Sequence, residues 1–119
     1  MIYSIHKNRT MSEKREHTRV GISFPVECDF LTKNCYFYTV SKDMSSGGVK
    51  IVTDDFIPMG NSLKLNINLI EKVVRLKAKV AWCNKERAND RYSVGLQFSE
   101  ISDTNKRSID QFLNQIYNY

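Results

Sequence analysis

The chain is short of the residues from which most catalytic and metal sites are built. Its 119 residues include two histidines, His6 and His17, with no H-x-x-x-H or H-E-x-x-H spacing. Three cysteines, Cys28, Cys35 and Cys83, form no C-x-x-C pair. An odd number suits reduced thiols better than a disulfide framework, so each reads as a small buried or half-buried hydrophobe. No metal or other cofactor is expected. Apolar runs stop at three or four residues, far short of the roughly 20 that span a bilayer. The opening Met1-Ile2-Tyr3-Ser4-Ile5-His6-Lys7 has no long apolar stretch before its charges. A secretory signal is therefore not expected, and the chain reads as cytoplasmic. Asp54-Asp55 is the one adjacent carboxylate pair, and neighbouring side chains diverge in a strand, so a wet turn explains it. Nothing here assembles an enzyme.

What is present is a modest apolar core and an excess of positive charge. A hydrophobic fraction of 41%, with six Phe, six Tyr and one Trp, is that of a single globular domain. The net charge of +5 points to an anionic partner without naming it. Five of the 18 basic residues (Lys7, Arg9, Lys14, Arg15, Arg19) fall within the first twenty positions, opposed there only by Glu13 and Glu16.

From residue 22 onward the pattern alternates with a period of two. Ile22, Phe24, Val26, Cys28 and Phe30 share one face. Leu63, Leu65, Ile67 and Leu69 repeat the pattern, as do Val74, Leu76, Ala78, Val80 and Trp82, and then Tyr92, Val94, Leu96 and Phe98. Shorter strands fit Tyr36–Ser41 and Val49–Thr53. Turn residues at Thr32-Lys33-Asn34, Ser45–Gly48, Pro58–Asn61 and a polar tip over Asn84–Arg91 separate these runs. Ile109, Phe112, Leu113 and Ile116 then change the period to that of an amphipathic helix, capped by Ser102 or Asp103. The expected fold is all-β with a terminal helix: a six-stranded antiparallel barrel, partly open, with the helix as a lid. Residues 21–119 make this barrel and residues 1–20, which follow neither period, make a flexible basic arm.

Two short motifs carry chemistry. Arg15 and Arg19 form R-x-x-x-R, a spacing that lets both guanidinium groups converge on one ligand in a helical or an extended arm. Each offers paired N–H donors that match phosphate oxygens or the O6/N7 edge of guanine. Asp43, Ser45 and Gly48 form D-x-S-x-x-G between two strands. An ionised Asp accepts two hydrogen bonds, which guanine N1–H and N2–H supply side by side. Ser45 can donate to a phosphate or base edge, and Gly48 permits positive φ and close approach. Taken singly, the first motif also reads as a solvated basic linker and the second as an ordinary hairpin turn. Trp82, at the end of an inward row, reads as core or barrel rim, with stacking on a ligand as the minority role.

Together these residues resemble the PilZ domain family, bacterial receptors for the second messenger cyclic di-GMP. The resemblance runs from about Glu13 to Tyr117. Glu13–Val20 looks like the family's arm, Asp43–Val49 like its turn, and Val80-Ala81-Trp82 with Val94–Phe98 like its later strands. It implies a six-stranded split barrel with a helix beside it, a ligand rather than a cofactor, and no catalysis. Arg15 and Arg19 would grip guanine and phosphate, Asp43 and Ser45 would read the other guanine edge, and Gly48 would shape the turn. Many relatives carry a further Arg where this chain has Lys14, which supplies charge without a flat stacking surface. A receptor of this length would order its arm on the ligand and signal through an unidentified protein partner.

Two other readings stay open. Small basic β-barrels also bind single-stranded nucleic acid, but they display aromatics on an outer face, and here most aromatics fall in inward rows. A PilZ-like barrel can also serve as a ligand-independent interaction module.

Overall fold

A computed structural model describes residues 23–31 and 35–117. Lys14, Arg15, Arg19 and the 32–34 turn lie outside the described residues. Six strands and one helix follow in order: β1 Pro25–Phe30, β2 Cys35–Ser45, β3 Gly48–Thr53, β4 Ser62–Asn68, β5 Val73–Lys85, β6 Tyr92–Glu100 and α1 Asp103–Tyr117. The strands pair antiparallel as a closed ring in the order β1-β2-β3-β6-β5-β4. The ring is complete, not partly open, because β1 registers with both β2 and β4, Cys28 opposite Phe37 on one side and Leu65 on the other.

The alternation read from the sequence is what fills this barrel. Val26, Cys28, Leu63, Leu65, Ile67, Val74, Ala78 and Val94 are at most 1% exposed. Burial pushes the Cys28 thiol up to about 12 and leaves it inert. Cys35, by contrast, is exposed rather than buried, because it opens β2 at the barrel rim. Ile109 and Leu113 of α1 join the same core, and Phe112 packs edge-on against Phe24 at 5.7 Å. The lid therefore closes the end where β1 begins. Ser102 caps α1 by accepting the Asn105 N–H at 3.1 Å.

Three details depart from the periodic reading. β2 runs on to Ser45, so Asp43 and Ser45 stand on a strand and the turn is reduced to Ser46-Gly47. Their partners decide this: Asp43 registers with Lys50, and Ser45 with Gly48. Lys42 is an extra residue in β2, since the register shifts between Ser41 and Asp43. Ala81 is an extra residue in β5, between Val80 and Trp82. Each bulge flips the side chains that follow it. Trp82 consequently leaves the inward row and stands on the outer wall, 38% exposed. Tyr36 and Tyr38 are also exposed on the outside, exceptions to the inward placement of most aromatics.

Candidate functional site

The second motif is built by the β2–β3 hairpin. Met44 is fully buried, and because neighbours on a strand face opposite ways, Asp43 and Ser45 both turn outward. The Asp43 side chain is only 19% exposed, with Lys50 Nζ 3.6 Å from Oδ2. At this depth the pair contributes about 1 kcal/mol at most; its main effect is to place a carboxylate and a cation side by side. Ser45 is 2% exposed, and its Oγ accepts the Gly47 N–H at 3.3 Å, which tightens the turn.

Gly48 is required for a different reason than φ. It does not take the positive-φ conformation. A Cβ at this position would instead lie 2.3 Å from the Leu96 carbonyl oxygen, because β3 and β6 run close together there. The motif glycine is thus a spacing element of the ring.

Register lines extend the site across four strands. Asp43 pairs with Lys50, Lys50 with Gly95, and Gly95 with Trp82. The adjacent row runs Ser45, Gly48, Gln97 and Lys79. At the usual strand spacing, Asp43 and Trp82 backbones lie roughly 14 Å apart, about the span of a dinucleotide. Between them the wall is low: a Cβ on Gly95 would fall 2.3 Å from Trp82 Nε1, so the indole lies across the bare glycine. The result is a carboxylate, two lysines and a half-exposed aromatic plane on one outer face, with the Ser45 hydroxyl almost fully covered beside them. Lys50, Lys79 and Gln97 were not identified from the sequence. Their alternation was visible, but which strands neighbour each other was not.

One end of this face is bordered by a second charged group. Glu86 accepts a hydrogen bond from Ser93 Oγ at 2.7 Å and pairs with Lys42 Nζ at 3.1 Å. Bonds from Ser93, then Asn89 and Lys42, hold its carboxyl down to about 2. Lys42 is therefore partly neutralised, whereas Lys79 has no ion-pair partner among the described residues. Among the described residues, no group of three or more His, Cys, Asp or Glu is placed to hold a metal ion.

The family model for the PilZ domain matches residues 13–115. The chain belongs to the PilZ domain family. Several solved structures superpose on it. The Bacillus subtilis inhibitor of motility MotI aligns with a TM-score of 0.74 at 21% identity, over 88% of this chain and 52% of that one. The PilZ domain of YcgR from Escherichia coli, solved with c-di-GMP, aligns with 0.69 at 15% identity, over 88% and 92%. The c-di-GMP complex of MrkH from K. pneumonia aligns with 0.72 at 15% identity, over 87% and 52%. The chain thus spans about half the length of MotI and MrkH and nearly all of the YcgR domain. Comparison with curated proteins gives no match. At these identities the structural likeness speaks to the PilZ fold. Among the described residues no helix is long and apolar enough to cross a membrane.

The role of Gly48 separates spacing from ligand contact. Gly48→Ala should destabilise the ligand-free domain by about 1–3 kcal/mol, the usual range for overpacking. Asp43→Asn, on the outer face, should shift the same urea midpoint far less. Equal midpoints for Gly48→Ala and the parent would remove the close approach from the account.

Proposed function

We propose that this PilZ domain is a cytoplasmic receptor for cyclic di-GMP, acting by binding and not by catalysis. The observation that carries the reading is the outward row Asp43, Lys50, Gly95 and Trp82. A carboxylate at one end suits the N1–H and N2–H donors of guanine, and an indole at the other suits stacking on a base. Ser45 and Lys79 flank the row, in reach of the phosphates that join the two bases. Family membership and the two PilZ complexes solved with c-di-GMP support the same ligand.

Arg15 and Arg19 complete the site in this reading. They supply the guanidinium forks that the described face lacks, gripping phosphate and the O6/N7 edge of guanine. The basic arm of residues 1–20 orders on the ligand, and the new surface is read by a protein partner. A single-stranded nucleic-acid function is less well supported. Tyr36 and Tyr38 register with Asp29 and Glu27 on β1, rows away from Trp82, so the exposed aromatics form no continuous stacking track.

Calorimetry tests the receptor reading directly. Arg15→Ala and Arg19→Ala should each weaken cyclic di-GMP binding by about 1.5–3 kcal/mol, the scale of charge-assisted hydrogen bonds. The thermal midpoint of the ligand-free domain should stay where it is. Parent-like binding by both variants would take the arm out of the site.

Stoichiometry is a separate expectation. Two interleaved cyclic di-GMP molecules carry four phosphate charges, and the arm holds Lys7, Arg9, Lys14, Arg15 and Arg19 to meet them. The isotherm should give about two ligands per chain, falling to about one for Lys14→Leu. A one-to-one isotherm for the parent, at ligand concentrations that allow pairing, would contradict this while leaving the receptor assignment standing.

A further inference from the structure

The bulge at Lys42 divides β2 into two halves with different neighbours. Pairing with β3 reaches just past it, to Ser41 opposite Ile51; from Val40 back to Cys35 only β1 is in register among the described residues. The two strands part there, and Thr39 Oγ1 donating to the Val52 carbonyl is the last tie between them. A cleft of about 840 Å³ opens in the barrel wall at this split, away from the Asp43 face. Its walls are Phe30, Phe37, Tyr38, Val40, Phe56 and Ile57, and Asp54, Asp55 and Arg91 stand at its rim.

One side of this cleft is a strand edge. Ser41 donates its N–H to the Phe24 carbonyl at 2.9 Å, so its main chain faces β1. Main-chain groups alternate sides along an antiparallel strand, so Phe37 and Thr39 also face β1. Tyr36 and Tyr38 must then turn their N–H and C=O groups away from β1, to the side of the strand where the cleft lies and no described residue registers with them. Natural edges are usually blunted by a charge or a proline, and Cys35–Val40 contains neither. Of the residues that line the cleft, Tyr38 and Phe56 are 69% and 56% exposed. Large apolar side chains gathered on a surface in this way mark an interaction site.

We infer that the cleft takes one extended segment of a partner protein, added as a strand to the free edge of β2. The geometry selects this occupant over a second copy of the chain. A strand in the cleft lies between β2 on one side and residues 54–58 on the other, so both of its own edges must be free. The β2 strand of a second copy does not meet that condition, because β1 holds its other edge. The chemistry of the segment follows from the lining. Alternate apolar side chains enter against Phe30, Phe37 and Ile57, and a Lys or Arg at its end meets Asp55. Asp54 is already paired with Arg91 at 3.7 Å, whereas Asp55 has no ion-pair partner among the described residues.

The site is independent of the dinucleotide reading, and its test uses the full chain without nucleotide. The probe is the capped peptide Lys-Val-Thr-Val-Tyr-Val-Lys, titrated while the backbone amides are followed by NMR. Hydrogen exchange at Tyr36 and Tyr38 should slow by about tenfold or more on saturation, as expected for amides entering a ladder. A peptide with proline at the centre should bind about tenfold more weakly, since it loses a ladder donor. Asp55→Asn should weaken the parent peptide a few-fold, and more so in low salt. Unchanged exchange at Tyr36 and Tyr38 at millimolar peptide would overturn the inference. Equal binding of the proline peptide would overturn it as well, since the contact would then be side-chain adhesion and not strand addition.

Discussion

The close passage of β3 against β6 is the constraint on which the rest depends. The ring is made of two meanders, β1-β2-β3 and β4-β5-β6, joined at the β1–β4 and β3–β6 seams. At the second seam the Leu96 carbonyl leaves no room for a side chain at position 48. With glycine there, the strands approach fully, Val49 and Leu96 both turn into the core, and the outer rows line up. A motif glycine that looks like turn chemistry therefore serves barrel closure first. The alignment of Asp43 with Trp82 across four strands is a consequence of that closure.

Two inserted residues then aim the parts. Ala81 in β5 turns Trp82 out of the core row and lays its indole over Gly95. Lys42 in β2 lets Asp43 and Ser45 pair with β3 while the strand above it stays with β1. The same bulge that presents the carboxylate also opens the cleft. One strand thereby borders two separate faces, the polar row that begins at Asp43 and the apolar cleft beside Tyr38 and Val40.

Much of this was legible in the residues. Alternation located all six strands, the change of period located the helix, and the inward rows at Val26–Cys28, Leu63–Ile67 and Val74–Val80 are the core. The errors came from features that local periodicity does not encode. Asp43 and Ser45 look like turn residues by composition, and only their pairing with Lys50 and Gly48 makes them strand residues. Trp82 continues an apolar row on paper, and one extra residue before it reverses its direction. Cys35 looks like a buried thiol, but its position at the strand opening exposes it. Lys50, Lys79 and Gln97 went unrecognised because β6 lies between β3 and β5, a neighbour relation that one sequence does not reveal. Arg15 and Arg19, the most telling pair in the chain, lie outside the described residues, so their part in the site rests on chemistry and family.

The central claim is that Asp43 reads guanine at one end of the Asp43–Trp82 row. Competition between cyclic di-GMP and cyclic di-AMP for the parent protein and for Asp43→Asn tests it most directly. Adenine lacks the paired N1–H and N2–H donors, so its complex forgoes charge-assisted hydrogen bonds worth about 1.5–3 kcal/mol each. The parent should therefore prefer cyclic di-GMP by well over tenfold, and Asp43→Asn should lose most of that preference. Equal affinities of the parent for the two dinucleotides would contradict the account.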